Sequence, residues 1–249
     1  MSVQIVIPSR GRPHSVAVAG KLFPDALWCI GQDEARVYDV PAARQLIHPP
    51  EIIGIGRKRQ WILDHVPGVV FQVDDDVTKL WCTVGLMGRP IEDPADIRQI
   101  IENAAHIAES IGAPVFGFDQ AWDVRKFRPQ EPLLFTGWVG TAVGFIGREI
   151  RYDQSLLSQA DIDFCLRCLL EKRVIFVDHR FSFICKRFTN RGGSAGLRSA
   201  ADYEAQIQKV RARWGKWVSY KKAKTTWRLG VRVSRRQPLD YGGQSVFEI

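Results

Sequence analysis

The sequence is organised around Phe71-Gln72-Val73-Asp74-Asp75-Asp76-Val77, an apolar run that ends in three consecutive acids. A short apolar run of this kind predicts a buried strand. Carboxylates at its end repel one another and are costly to remove from water, so we expect cations of the protein or a divalent metal ion beside them. The alternative is an Asp-rich turn whose side chains cap the next segment or point into solvent.

Outward from this stretch, strands and helices alternate along the chain. Apolar runs predict strands near residues 3–8, 27–31, 46–53, 115–118, 141–147, 174–177 and 181–184. Helical spacing of apolar residues predicts helices over 14–22, 57–65, 94–111, 162–170 and 200–214. This order predicts an α/β fold with a mostly parallel central sheet and right-handed crossovers. Ligands of such sheets collect at the carboxyl ends of the strands.

The turn after the first strand is a candidate ligand site. Pro8 ends that strand, and Arg10, Gly11 and Arg12 follow it. A glycine lets backbone amides approach a ligand closely, and two arginines supply positive charge. Together with Arg57 in the basic helix, these residues indicate a site for an anionic or nucleotide ligand.

A second acidic pair opens a later helix. Asp161 and Asp163 fall in the first turn of the segment with helical spacing. The helix dipole and capping favour an acid there and account for one of the two. The other acid is left as a candidate for chemistry.

Basic residues are concentrated after residue 185. Arg191-Gly192-Gly193 belongs to a glycine-rich basic loop over 186–198, which is either a linker or a segment that closes over a diphosphate. Between Lys186 and Arg236 the basic residues far outnumber the two acids, Asp202 and Glu204. We therefore predict two parts, a catalytic domain over 1–198 and a basic, aromatic extension over 199–249 packed on it.

The extension interleaves aromatic and basic side chains. Basic residues offer contacts to phosphates and aromatic rings offer stacking surfaces for bases. The alternative is a helix or hairpin that packs its aromatics on the main domain and leaves its cations in solvent. The candidate nucleic-acid contacts are Lys216, Trp217, Lys221, Lys222 and Arg228.

The whole-chain composition is that of a globular protein. The 249 residues are 45% hydrophobic and carry a formal net charge of +8, and the pI is about 9.4. No apolar run approaches the roughly 20 residues that span a bilayer, and no signal segment opens the chain. We therefore expect a cytoplasmic protein with no membrane partner.

The 5 cysteines are odd in number and lie among apolar neighbours, which favours reduced thiols over a disulfide framework.

The order of these motifs resembles the GT-A glycosyltransferases. The resemblance is carried by IPSRGRP after the first strand, DDD near residue 75, the glycine-containing strand near residue 143 and ADID at 160–163, and it covers residues 3 to about 198. It implies a nucleotide-binding α/β sandwich in which Asp74 and Asp76 hold Mn²⁺ or Mg²⁺ on the diphosphate of a UDP-sugar. If the register shifts by one residue, Asp75 and Asp76 form the metal-binding pair instead. In either case the resemblance implies that Asp74 and Asp75 contact the donor.

The resemblance also assigns the second acidic pair. ADID resembles a motif in which an acid acts as general base on the acceptor, and Asp161 and Asp163 are the two candidates. Ala160 stands where the family usually has Glu. The ADID pair resembles that of inverting members of the family, which implies an inverting mechanism. The family often has a metal-binding His late in the domain. His179 comes earlier in the sequence than that position, so the family's His has no counterpart here.

Within that fold, the basic glycine loop and the cationic aromatic tail are similar to phage TET-associated DNA glycosyltransferases. This narrower resemblance implies transfer of a sugar to 5-hydroxymethylcytosine in double-stranded phage DNA, in the infected host cell. Two alternatives stay open: a soluble GT-A enzyme with a glycan, protein or small-molecule acceptor, and a non-catalytic nucleic-acid-binding module on a degenerate scaffold.

Overall fold

The computed structural model describes residues 1–85, 87–120, 123–185, 199–222 and 227–233. Their helices are α1 Val16–Leu22, α2 Ile55–His65, α3 Pro94–Ser110, α4 Ala160–Glu171 and α5 Ala200–Trp214. Their strands are β1 Val3–Pro8, β2 Leu27–Gly31, β3 Gln45–His48, β4 Val69–Val73, β5 Val77–Cys82, β6 Arg89–Ile91, β7 Val115–Asp119, β8 Leu133–Leu134, β9 Ala142–Phe145, β10 Phe176–Cys185, β11 Val218–Lys222 and β12 Trp227–Val231.

One large mixed sheet has the order β3-β2-β1-β4-β9-β7-β10-β5-β6, with β8 paired to β10. β1 pairs in parallel with β2 and β4, and β7 pairs in parallel with β10. β5, β8 and β9 run against the direction that the other strands of this sheet share. The predicted α/β class and mostly parallel sheet are confirmed.

Helices cover both faces of this sheet. Because side chains alternate along a strand, Phe71 enters the core under α1 and α3, while its neighbour Val70 enters the core under α2 and α4. Ile97, Ile101 and Ala104 supply the buried stripe of α3, which Asp93 caps by accepting from the Ala95 N–H. The two cores hold the strand ends in fixed relative positions.

The strand predicted near 46–53 is shorter in the structure, where β3 ends at His48, and two further parts of the strand pattern differ. The segments near 174–177 and 181–184 form one strand, β10, whose pairing shifts from β7 to β5 after a bulge. A bulge interrupts the regular pairing and side-chain alternation of a strand. The sequence of this one strand therefore shows two separated apolar runs. The region after Asp76 forms β5 and β6, which the sequence reading did not predict as strands.

The described part of the chain after residue 198 packs on α4. Val210 and Val218 are buried in the same apolar cluster as Phe164 and Cys168, and β11 pairs antiparallel with β12. The five cysteines are free, and four of them are buried. No helix among the described residues is long and apolar enough to cross a bilayer.

Candidate active site

The three aspartates form the turn between β4 and β5, at the carboxyl end of β4. The Asp74 N–H donates to the Thr141 carbonyl at 2.9 Å, and the Val77 N–H donates back to the Asp74 carbonyl at 3.2 Å. Thr141 directly precedes β9, the neighbour of β4 in the sheet. These backbone hydrogen bonds therefore fix the position of the turn that carries the three carboxylates.

Asp75 points into the protein. Its Oδ2 accepts from Ser9 Oγ at 2.5 Å, and its Oδ1 accepts from Arg12 Nη1 at 2.7 Å. The same Arg12 nitrogen lies 3.4 Å from Asp76 Oδ2. Burial opposes the charge of Arg12, but Asp75 and Asp76 outweigh it and hold the pKa of the guanidinium above its usual value. Arg12 therefore neutralises this part of the turn from within the protein.

Asp74 has a different cationic partner, Arg59 on α2. Arg59 Nη2 donates to Asp74 Oδ1 at 2.7 Å, and Arg59 is 4% exposed at its side chain while Asp74 is 32% exposed. Removal from water, reinforced by Asp76 and Asp75 and opposed by Arg59, raises the pKa of Asp74 to about 6. The local sequence does not distinguish Arg59 from the other basic residues at the start of α2.

The other predicted donor residues are only partly brought together. Arg10 pairs with Asp33 at 3.2 Å, close to the end of β1 that Pro8 marks. Arg57 lies on another face of α2 from Arg59 and donates to the Gln154 carbonyl at 2.8 Å. Arg191, Gly192 and Gly193 lie outside the described residues.

A polar cluster that the sequence did not reveal surrounds Gly31 at the end of β2. A Cβ on Gly31 would stand 2.4 Å from Asp33 Oδ1, 3.4 Å from His48 Cε1 and 3.6 Å from Arg10 Nη1. Three buried atoms of this region of the chain have no hydrogen-bond partner within its described part: Arg10 Nη1, Glu34 Oε1 and His48 Nε2. These unsatisfied atoms have the polarity to bind a ligand.

Lys58 closes this cluster from α2. Its Nζ donates to the Ser9 carbonyl at 2.5 Å, and burial lowers the pKa of Lys58. The polar run Gln32-Asp33-Glu34 after a predicted strand was the signal available in the sequence. His48 and Lys58 gave none, because their proximity depends on the pairing of β2 with β3 and on the packing of α2.

Asp163 and Asp161 have contrasting surroundings at the start of α4. Asp163 is 0% exposed at its side chain. It accepts from Arg167 Nε at 2.9 Å, Arg213 Nη1 at 2.7 Å and Trp214 Nε1 at 2.8 Å. Its carboxylate joins α4 to α5 and is surrounded by protein donors.

Asp161 is partly exposed and faces Gly140. A Cβ on Gly140 would lie 2.8 Å from Asp161 Oδ2. Arg59 Nη2, the nitrogen bound to Asp74, also donates to the Gly140 carbonyl. Asp74 and Asp161 are thus linked through Arg59 and the Gly140 backbone.

Asp74 and Asp76 offer the carboxylate oxygens that Mg²⁺ or Mn²⁺ prefers, and in the structure each of them pairs with an arginine. Mg²⁺ is commonly held by one or two carboxylates, with water and substrate phosphates supplying the other ligands. Among the described residues, no group of three or more His, Cys, Asp or Glu side chains could hold a metal ion. His179 Nδ1 lies 3.7 Å from Asp119 Oδ2, at the end of β7.

The candidate nucleic-acid residues lie beside the end of α5 and in the antiparallel pair of β11 and β12. Trp217 packs partly buried against the core cluster, and Lys216 Nζ lies 4.9 Å from the centre of its ring. Lys221 is exposed on β11 and pairs through its backbone with Arg228. Lys222 pairs in the same way with Trp227.

A sequence model of the family described as TET-Associated Glycosyltransferase matches residues 3–193. No curated protein sequence matches the chain. Three solved structures are similar to the chain at low sequence identity. A crystal structure of S. aureus TarS residues 1–349 is 11% identical with a TM-score of 0.48, over 87% of this chain and 66% of that one. A second S. aureus TarS structure is 12% identical with a TM-score of 0.48, over 87% and 40% of the two chains. A UDP-glucose pyrophosphorylase complexed with UDP-glucose is 9% identical with a TM-score of 0.41, over 86% and 100% of the two chains.

Proposed function

Since the chain belongs to the TET-associated glycosyltransferase family and is a glycosyltransferase, we propose that it transfers a sugar from a UDP-sugar to 5-hydroxymethylcytosine in double-stranded phage DNA. The observation that carries this proposal is the meeting of two acidic groups at one place. Asp74 ends β4, and Asp161 reaches the same region against the Gly140 backbone. Transfer needs a group for the departing diphosphate and a base for the acceptor hydroxyl.

The donor binds along the ends of β1, β2 and β4. The unsatisfied atoms of Arg10, Glu34 and His48 offer two nitrogens and a carboxylate oxygen in a buried setting, which suits the mixed donors and acceptors of a nucleobase or ribose. Lys58 adds a cation behind them. The diphosphate then lies toward Arg12 and the aspartate turn.

Asp74 and Asp76 hold Mn²⁺ or Mg²⁺ in this proposal. The bound ion supplies charge stabilisation to the departing diphosphate. Asp75 is committed to Ser9 and Arg12, so its part in donor binding is to hold Arg12 in place.

Asp161 is the proposed general base, in preference to Asp163. A base must reach the acceptor hydroxyl, and the 0% exposed carboxylate of Asp163 is surrounded by Arg167, Arg213 and Trp214. Asp161 is partly exposed. Removal of the hydroxyl proton by Asp161 and attack on the opposite face of the sugar carbon would invert its configuration in one displacement.

DNA binding is assigned to the cations at the end of α5 and in the antiparallel pair of β11 and β12. Lys216 and Lys221 are exposed, as phosphate contacts require. The cytosine hydroxymethyl group would be reached in the major groove or after base flipping.

The packing of Trp217 favours a second candidate, transfer to an acceptor other than DNA. Its ring packs partly buried against the core and lies beneath Lys216, so it offers less surface for stacking on a base. In that case the basic extension serves packing and the donor, and the acceptor is a glycan, a protein or a small molecule.

One assay separates these candidates. The protein is incubated with radiolabelled UDP-sugars and Mn²⁺, together with either a 5-hydroxymethylcytosine duplex or the same duplex with unmodified cytosine. Label on the hydroxymethylated duplex alone supports the proposal. Release of UDP without labelled DNA indicates a different acceptor, and binding to DNA with no UDP release indicates a non-catalytic module.

A further inference from the structure

Arg59 is enclosed between the two acidic groups. It lies on the inner face of α2 and is 3% exposed. Its Nη2 donates to both the Asp74 carboxylate and the Gly140 carbonyl. Asp74 and, more weakly, Tyr152 and Asp161 offset the cost of its burial, and together they keep its pKa above the usual value. A buried guanidinium with these partners has little freedom to move.

The Gly140–Thr141 segment continues this connection. The Thr141 carbonyl accepts the Asp74 N–H at 2.9 Å, so Asp74 is held by this segment through its backbone as well as through Arg59. On its other side, the Gly140 α-carbon lies against the Asp161 carboxylate and the Trp138 ring. A Cβ there would be 2.8 Å from Asp161 Oδ2 and 2.7 Å from Trp138 Cζ3. The space beside Gly140 is therefore filled by the Asp161 carboxylate.

We propose that Arg59 is a positioning residue that fixes the distance between donor-binding Asp74 and the acceptor base Asp161 by holding the Gly140–Thr141 segment. This inference rests on the proposed roles of those two acids. Arg59 touches neither substrate in this arrangement and acts through Asp74 and Gly140. Gly140 is required because any larger residue displaces the carboxylate of Asp161.

The geometry makes Gly140→Ala a selective test. Gly140 has no positive φ, so alanine fits its backbone, and the added methyl acts through contact alone. It pushes on Asp161 and Trp138, while Asp74 keeps its bonds to Arg59 and Thr141. Displacement of a reacting group by about 1 Å can lower a rate by roughly 10²-fold. Gly140→Ala should therefore lower kcat strongly and leave the donor KM and the affinity for UDP with Mn²⁺ unchanged.

A conservative pair tests Arg59 itself. Arg59→Met keeps the apolar stem but removes the charge and the hydrogen bonds of the guanidinium, whereas Arg59→Lys keeps a cation able to donate to Asp74 and Gly140. We expect kcat to fall by roughly 10²-fold in Arg59→Met and to recover substantially in Arg59→Lys. Gly20→Ala is the control for an added methyl, because its Cβ would meet its nearest atoms at 3.9 Å and 4.0 Å.

Each variant is measured by steady-state transfer to the hydroxymethylated duplex, UDP calorimetry with Mn²⁺ and thermal unfolding. The inference is overturned if Gly140→Ala keeps the wild-type kcat, or if folded Arg59→Lys is no more active than folded Arg59→Met. If Arg59→Met does not fold, Gly140→Ala decides. If the wild type transfers no sugar to DNA, the proposed acceptor is wrong; the same comparisons are then made on donor hydrolysis by water, where the same pattern is required.

Discussion

Arg12 and Asp75 form an ion pair of 2.7 Å with side chains that are only 12% and 6% exposed. The pair places a cation of the protein against the centre of the aspartate turn. All three carboxylates of the turn pair with an arginine, and the middle one, Asp75, is the least exposed and also accepts from Ser9 Oγ. Its neighbours on either side are more exposed, at 32% for Asp74 and 14% for Asp76.

We expect Asp75→Ala to act on stability. The change removes the acceptor for Ser9 Oγ and Arg12 and leaves a buried guanidinium with a weaker partner. Breaking such a pair costs about 3 to 5 kcal/mol of unfolding free energy. Urea denaturation of Asp75→Ala and wild type measures this, and an unchanged midpoint would argue against a structural role for Asp75.

Asp76→Ala should weaken donor binding and change the stability of the fold little. Its carboxylate is a proposed metal ligand and lies 3.4 Å from Arg12, so its loss weakens metal-dependent donor binding more than folding. The measurement is UDP calorimetry with and without Mn²⁺, with Asp96→Ala in the first turn of α3 as a distant control. Wild-type activity and affinity in Asp76→Ala would eliminate Asp76 as a metal ligand.

Asp161→Asn should separate donor binding from transfer. The amide keeps the size of the side chain but cannot accept the proton of an acceptor hydroxyl. General base catalysis contributes about 10²- to 10⁴-fold, so kcat should fall by that order while UDP affinity is retained. If Asp163→Asn shows that profile instead and Asp161→Asn is as active as wild type, the base has been misassigned.

The stability of the α4–α5 contact should depend on acidic pH through Asp153. Burial raises its pKa, but hydrogen bonds from Ser155 and Arg213 outweigh burial and hold the pKa of Asp153 well below its usual range. A carboxylate with a depressed folded pKa stabilises the fold above its unfolded pKa of about 3.9 and loses that contribution as pH falls below it. The loss falls between the unfolded pKa and the lower folded pKa, so melting temperatures measured from about pH 5 down to about pH 2 should fall more steeply for wild type than for Asp153→Asn, and parallel curves over that range would contradict the assignment.

The proposed nucleoside site, formed by the polar side chains near Gly31 at the end of β2, gives a prediction about specificity. Glu34 Oε1 and His48 Nε2 are buried without partners among the described residues, while Glu34 Oε2 accepts the Gly11 N–H at 2.6 Å. Glu34→Gln should change the relative affinity for UDP and for other nucleoside diphosphates, because it replaces one acceptor by a donor. Competition binding with UDP, CDP and GDP checks this, and an identical ranking would place the nucleobase elsewhere.

The sequence predicted secondary structure best where a single apolar pattern covered a whole strand or helix. The run from Phe71 to Asp76 predicted a strand that ends in acids, and the stripe of α3 predicted its helix to within one residue at the C-terminus. Local patterns sufficed because apolar periodicity depends on neighbours along the chain. Arg59 could not be distinguished from Arg57 in this way, since which face of α2 meets β4 is decided by packing.

Asp163 shows the same limit at longer range. As a helix-start acid it looked equivalent to Asp161, and two of its three donors, Arg213 and Trp214, lie about fifty residues later in the sequence. The balance between a buried structural carboxylate and a reactive one depends on contacts that no local spacing records.

The bond between Arg213 and Asp163 also bears on modularity. The family match ends at residue 193, whereas one of the two arginines that pair with the fully buried Asp163 inside that match is residue 213. A fragment cut at the end of the matched region would retain Asp163 without two of its donors and uncover the apolar surface beneath Val210. A transfer of the matched region into another protein would therefore have to include α5, because α5 is part of the unit that folds.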